Sequence, residues 1–210
     1  MIRKYSVLIC VSISVILIVK ASLLYPGGSL FDKNSVGFDW TKNFISNLFK
    51  ERAINGAENP ARNWAVIGMV FHSVGFGVFF INMSKKIIVK PAATVLLLIG
   101  AASIICNFLI VTRLHDSMVT VSSTLFLIGL VYITVFSLKT KLHFLKFSCI
   151  ICLLLFYYTL FLFGCGDLCL LPIMQKVAFI SSMVLVLGIE YLTKAEDFKW
   201  VKRRAIAKLD

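Results

Sequence analysis

The residues best suited to acid–base or metal chemistry are the histidines and a few carboxylates. His115 and Asp116 are adjacent, while His72 lies alone inside an apolar stretch. An imidazole can serve as a proton acceptor or as a zinc ligand. The chain has no HxxxH or HExxH pair and no GxSxG sequence beside a histidine. We therefore expect no metal and no cofactor, and a zinc hydrolase built from His72, His115, Asp116 and Asp167 stays an alternative.

A second set of polar residues has the chemistry of an anion-binding site. Lysine and arginine side chains near the ends of apolar stretches can hold phosphate or carboxylate groups. A network of ion pairs that only ties the loops together is the alternative. The candidate ligand-binding residues share positions at or near one end of these stretches: Lys20, Asn107, Arg113, Asp167, Gln175 and Lys176.

The elements that position these residues are apolar stretches long enough to cross a membrane. Hydrophobic residues make up 59% of the chain and charged residues only 15%, and the mean hydropathy is +0.91. A stretch of about 20 apolar residues spans a bilayer core as a helix. Residues 1–192 are therefore predicted to form an all-α integral membrane six-helix bundle, with spans near Tyr5–Leu24, Asn63–Met83, Ala92–Thr112, Ser117–Leu138, Leu142–Phe163 and Pro172–Leu192.

The basic residues predict how the bundle is oriented. Most lysines and arginines lie in alternate connecting segments and at the two ends of the chain, including a basic tail over residues 193–210. Cytoplasmic loops carry such an excess. We expect both termini in the cytoplasm, in a plasma membrane or a bacterial inner membrane. The net charge of +12 is thereby explained by topology, and we expect no nucleic-acid partner. Phe198, Val201 and Ala205 of the tail could share a lipid-facing helical side, or the tail could be disordered.

One long outer loop, residues 25–62, is more organised than a linker requires. It opens with Tyr25-Pro26-Gly27-Gly28, which is typical of a sharp turn. Over residues 39–50, apolar residues recur at helical spacing, and Asp39 is a suitable N-cap. This pattern predicts a helix that lies in the headgroup plane or caps the bundle. In a second outer loop, Cys165 and Cys169 could form a disulfide if that side is oxidising, or stay free.

The order of features in the outer loop is shared with known membrane proteins. With Gly37-Phe38 and Trp40-Thr41-Lys42-Asn43-Phe44-Ile45-Ser46-Asn47-Leu48 after the early turn, the chain resembles the prokaryotic six-span family catalogued as domain of unknown function number 998. The resemblance extends more loosely through His115-Asp116 and Gln175-Lys176. A more distant similarity is to the DRAM-like family, in which an Asp is usual where Asn47 stands. The resemblance implies six spans and a link to membrane lipids, without an established reaction.

Small and polar residues predict which helical faces turn inward. Ala65, Gly68, His72 and Gly75 share one face of the second span, and small residues let helices approach closely. The third span offers Gly100, Ser103 and Asn107 on one face, and the fourth offers Thr120 and Thr124. His72 and Asn107 could hold the bundle together or serve a ligand or a proton.

These features predict a shared site at the outer leaflet. Alternating spans bring their polar ends to one side, and ionisable groups are costly in hydrocarbon. One cavity beneath the outer-loop helix should therefore be bordered by Lys20, His72, Asn107, Arg113, His115, Asp116 and Lys176. The sequence favours a non-enzymatic protein that interacts with membrane lipids, which could include anionic headgroups, or that is associated with the cell envelope. The alternative is an intramembrane hydrolase or lipid-modifying enzyme using His72, His115 and Asp116.

Overall fold

Six long helices dominate the computed structural model, which describes residues 2–199 apart from the side chains of Ile2, Arg3, His115 and Asp116. Each helix is long and apolar enough to cross a membrane. This confirms the predicted all-α six-helix bundle, and the chain is a multi-pass membrane protein. The helices are α1 (Ile2–Leu24), α2 (Ala61–Lys86), α3 (Lys90–Leu109), α4 (His115–Ser137), α5 (His143–Cys165) and α6 (Leu171–Leu192).

Glycines bring α2 into close contact with both of its sequence neighbours. The Cα of Gly68 lies against Ile18 of α1, and that of Gly75 lies against Cys10. On the other side, a Cβ added to Gly77 would stand 2.8 Å from the backbone oxygen of Gly100 in α3. Backbones approach this closely only where side chains are absent. The small-residue face of α2 is buried, as the sequence predicts.

Aromatic rings join α2 to the helices that follow. Phe76 and Phe80 of α2 pack on Phe126 of α4, which packs in turn on Phe156 of α5 with ring centroids 4.6 Å apart. Helix α5 exposes most of its apolar side chains, as expected of a helix that faces lipid. Helices α1 and α6 touch each other only sparsely, and this leaves a lateral opening between them.

The bundle has two polar ends, which we call the loop face and the opposite face. The loop face carries the long loop and the connections 110–114 and 166–170. At the opposite face, the Lys86 ammonium lies 3.7 Å from the Glu190 carboxylate and so ties α2 to α6. The short 3₁₀ helix Ala195–Phe198 follows α6. Phe198 is buried in the core, so its predicted place on a lipid-facing helix is wrong; Val201, Ala205 and the rest of the tail lie outside the described residues.

The long loop is an ordered cap on the loop face. The predicted sharp turn is present, because Gly28 has a φ of +83°, a conformation that favours glycine. The hydroxyl of Tyr25 accepts a hydrogen bond from the Ile54 backbone N–H at 3.0 Å. The side chain of Asn59 donates to the backbone oxygens of Leu48 and Lys50. The cap therefore has a defined structure of its own.

The predicted helix over residues 39–50 is shorter than the sequence indicates. Its regular part is the 3₁₀ helix Ile45–Phe49, and a turn precedes it. The Asp39 carboxylate accepts hydrogen bonds from the Thr41 backbone and hydroxyl, and Asn43 Oδ1 accepts the Asp39 N–H. Such side-chain bonds compete with helical ones. Ile45, Leu48 and Phe49 are buried in the bundle end, so this segment caps the bundle.

Candidate functional site

A buried lysine is the central feature of the loop face. Lys176 lies in the second turn of α6 and is only 6% exposed. Its ammonium donates to the backbone oxygens of Asn43 and Pro172 and lies 5.7 Å from the centre of the Phe38 ring. Among the described residues, no carboxylate comes within 4.0 Å of it. A buried cation without a direct ion-pair partner is unusual, which makes Lys176 a functional candidate.

Lys176 and its neighbour Gln175 fasten the long loop to α6. The Gln175 side-chain oxygen accepts the Ile45 backbone N–H at 3.0 Å, next to the Lys176 bond to Asn43. Asn43 is fully buried and also donates to the Gly28 backbone oxygen at 2.7 Å. The structure therefore brings the predicted pair Gln175 and Lys176 together on the cap.

An apolar groove begins beside Lys176 and runs between α1 and α6. Its volume is about 80 Å³. Three of its lining side chains, Val15, Val19 and Ile180, are more than 40% exposed on the surface of the membrane-spanning region, so the groove opens sideways. The full lining consists of Val15, Ile18, Val19, Trp40, Ile45, Lys176, Phe179, Ile180 and Met183. The accessible surface of the groove is apolar, so its chemistry fits an apolar chain.

Aromatic and acidic side chains surround the head of the groove. Phe38 packs edge-on against both Tyr25 and Trp40, with centroids 5.7 and 5.2 Å away. Asp39 lies between the two loop aromatics in sequence, and its backbone N–H donates to the side chain of Asn43, whose backbone oxygen accepts from Lys176. Hydrogen bonds from the Thr41 hydroxyl and backbone hold the pKa of the Asp39 carboxyl below its ordinary value. Asp39 is therefore ionised at neutral pH.

His72 lies deeper, in the wall behind the groove. It is 6% exposed, and its ring stacks on Phe179 of α6 at 4.7 Å and on Phe76 at 4.1 Å. Phe179 also lines the groove, so it separates His72 from that space. Nδ1 of His72 is buried and has no hydrogen-bond partner among the residues that the structure describes. His72 thus faces the bundle interior, as predicted.

Two serines complete the polar layer around His72. Ser14 is fully buried on the α1 side that packs on α2, between the contacts of Gly68 and Gly75. It is therefore level with His72. Ser122 of α4 is 6% exposed, and both serine hydroxyls lack a hydrogen-bond partner within the described part of the chain. Ser122 takes the interior place that the sequence assigns to Thr120 and Thr124, which are exposed; that expectation is wrong.

The other predicted site residues are spread over the loop face. Lys20 is exposed, and its ammonium lies 3.3 Å above the ring of Trp64 in α2. Asn107 is half-buried, and Arg113 is exposed after α3. Asp167 accepts the backbone N–H groups of Cys169 and Leu170 and so shapes the turn into α6. None of these four lines the groove.

The predicted catalytic pair and the two loop cysteines lie on the loop face. His115 and Asp116 begin α4, but their side chains are outside the described part of the structure. The cavity shared by all seven predicted residues therefore stays a prediction. Cys165 and Cys169 are exposed and not bonded to each other. Within the described residues, no group of three His, Cys, Asp or Glu side chains could hold a metal ion.

Several contributing residues were not identified from the sequence. Trp40 lines the groove from a turn and not from a helix, and Asn43 holds the cap through its side chain. Ser14 could have been identified from the sequence, because it occupies one position of a helical face that is otherwise apolar. The buried apolar residues of this face are Val7, Val11, Ile18 and Ala21. The contact between Lys20 and Trp64 could not be identified in this way, since the two residues are 44 positions apart in the chain.

Comparison of the chain with protein-family models, curated proteins and solved structures finds no match.

Proposed function

We propose that this membrane protein binds a membrane lipid in the groove between α1 and α6, with the headgroup at Lys176. The single observation that carries the proposal is the position of Lys176. It is a buried ammonium without a carboxylate within 4.0 Å among the described residues, at the head of an apolar groove that opens to the membrane. The role is one of binding, without catalysis.

The groove has the two properties that an amphiphile requires. Its walls are aliphatic and aromatic, and burial of each methylene of an acyl chain contributes about 0.8 kcal/mol. Lys176 lies at its head with a buried ammonium, and two of the three N–H groups of this ammonium are used by backbone oxygens. The third can donate to a phosphate or carboxylate oxygen. The cap holds this ammonium in place before a ligand arrives, which lowers the entropic cost of binding.

The orientation and kinship of the protein belong to the same proposal. We propose that the loop face is outside and that both termini are cytoplasmic, because basic residues are concentrated at the opposite face. The lipid would then come from the outer leaflet. The order of features in residues 25–48 supports kinship with the six-span family catalogued as domain of unknown function number 998. That resemblance implies a link to membrane lipids.

A groove-blocking substitution tests the proposal. Ile180→Trp should fill the groove and reduce the amount of lipid that stays bound in mild detergent, measured by mass spectrometry of the intact protein. Val184→Trp is the matched control, because Val184 is one turn away on α6 and does not line the groove. The exposed fractions of Ile180 and Val184 are 57% and 65%. Equal lipid retention by the two variants would refute the groove as the binding site.

The headgroup end is tested separately. Lys176→Met removes the charge and keeps the length of the side chain, and it should weaken binding of lipids with a phosphate headgroup. Lys33→Met removes an exposed charge from the long loop and should leave lipid binding unchanged. Melting temperatures of both variants establish that the cap stays folded. If the two variants bind alike, Lys176 does not hold the headgroup.

A further inference from the structure

We propose that the headgroup taken by the groove is zwitterionic, with its phosphate at Lys176 and its ammonium at Asp39 and Trp40. The ligand class is a phospholipid whose headgroup carries an amine, such as an ethanolamine phospholipid. This inference rests on the proposed lipid-binding function and adds the headgroup chemistry. It depends on the carboxylate of Asp39, a residue that the loop connects to the buried lysine through Asn43.

The acidic pole has one carboxylate oxygen available. Oδ1 of Asp39 is occupied by the backbone N–H and hydroxyl of Thr41, at 2.8 and 2.6 Å. Oδ2 faces Lys42 at 3.6 Å, but Lys42 is half exposed and the pair is three residues apart on the surface. Exposed pairs of this kind contribute little. A ligand ammonium can therefore replace the Lys42 ammonium at Oδ2 with little loss.

One residue fixes the two poles relative to each other. Asn43 accepts the Asp39 backbone N–H on its side-chain oxygen at 2.9 Å, and its own backbone oxygen accepts a hydrogen bond from Lys176. A positive and a negative residue are thus both held against Asn43, and no ion pair within 4.0 Å joins them among the described residues.

Aromatic rings add to the ammonium end. Phe38 and Trp40 flank Asp39 in the chain, their centroids are 5.2 Å apart, and Trp40 also lines the groove. A cation over the face of a tryptophan is attracted by the ring quadrupole. The exposed side of Trp40 is free to contact such a cation, since the side chain is 43% exposed.

This arrangement discriminates between headgroups by charge. A purely anionic headgroup would be attracted by Lys176 and repelled by Asp39. A zwitterionic headgroup pairs each of its charges with a group of opposite sign, and complementary charges of this kind give specificity. Asp39 is then the residue that determines which phospholipids are accepted, and Lys176 is the residue that binds their common phosphate.

The test compares two lysophospholipids with the same acyl chain and different headgroups, one with ethanolamine and one with glycerol. Binding to the full chain in detergent is measured by competition against a fluorescent lysophospholipid. We expect the native protein to prefer the ethanolamine lipid by about fivefold, the ratio that a weak ion pair and a cation–π contact supply. Asp39→Asn should abolish this preference, whereas Lys176→Met should weaken the binding of both lipids.

Controls separate the possible failures. Asp32→Asn removes a carboxylate that is exposed on the same loop and should keep the preference; Trp40→Leu should reduce it even if Asp39→Asn destabilises the turn. Equal or stronger binding of the glycerol lipid by the native protein would overturn this inference and leave the groove intact. If Ile180→Trp binds both lysophospholipids as well as the native protein does, the groove is not the lipid site and the proposed function is wrong. Displacement by soluble glycerophosphoethanolamine as effective as by the lysolipid would show a soluble ligand and refute the lipid source.

Discussion

The ammonium of Lys176 in α6 donates to the backbone oxygen of Asn43 in the long loop. Asn43 is fully buried and bonds through its side chain to Gly28 and to the backbone of Asp39. The end of the groove at Lys176 is therefore built by the cap and by α6 together. Any change that releases the cap should affect both stability and lipid binding.

Removal of the Asn43 side chain should destabilise the protein. Asn43→Ala leaves the buried Gly28 backbone oxygen without this donor, and an unsatisfied buried group costs about 1–3 kcal/mol. We expect a lower melting temperature and weaker lipid retention. Asn34→Ala, at an exposed position of the same loop, should change neither property. An Asn43→Ala protein as stable as native would mean that the cap does not depend on this bond.

The contact between α2 and α3 should not tolerate a methyl group. A Cβ on Gly100 would lie 2.8 Å from the backbone oxygen of Gly77, so Gly100→Ala forces the helices apart at a cost of about 1–3 kcal/mol. Gly164 in α5 has open space around it, and Gly164→Ala should be neutral or slightly stabilising. Thermal unfolding in detergent compares the two. The close contact is refuted if both alanines behave alike.

His72 should contribute through its ring and not through its nitrogen. Nδ1 has no partner, while the ring stacks on Phe76 and Phe179. His72→Phe should therefore keep or raise the melting temperature, whereas His72→Ala should lower it by leaving a cavity. Lipid retention should survive His72→Phe. Loss of stability in His72→Phe would instead reveal a hydrogen bond to Ser14 or to water.

The native cysteines report on orientation. Cys165 and Cys169 are exposed at the loop face, and the other four cysteines lie within helices. A membrane-impermeant maleimide should label the protein in intact cells. The double variant Cys165→Ser and Cys169→Ser should lose this labelling. Labelling only after the cells are permeabilised would place the loop face in the cytoplasm and move the lipid site to the inner leaflet.

The helices could be predicted from the sequence because length and hydropathy determine them locally. The predicted sixth span, Pro172–Leu192, differs from α6 by a single residue. Side-chain contacts across the loop face could not be predicted in this way. Lys20 and Lys176 look alike in sequence, yet one is exposed on Trp64 and the other is buried beneath the cap. That difference depends on the hydrogen bond that Lys176 donates to the Asn43 backbone oxygen and on the one that Gln175 accepts from Ile45, and only the tertiary structure brings these groups together.

Photo-crosslinking can show whether a lipid occupies the groove between α1 and α6. A phospholipid with a diazirine in its acyl chain is incorporated with the protein into nanodiscs, and the adducts are mapped by peptide mass spectrometry. We predict adducts on residues 15–19 and 180–183, suppressed by excess unlabelled lipid and by Ile180→Trp. Adducts confined to the exposed face of α5, or adducts in the groove that Ile180→Trp leaves unchanged, would contradict the account.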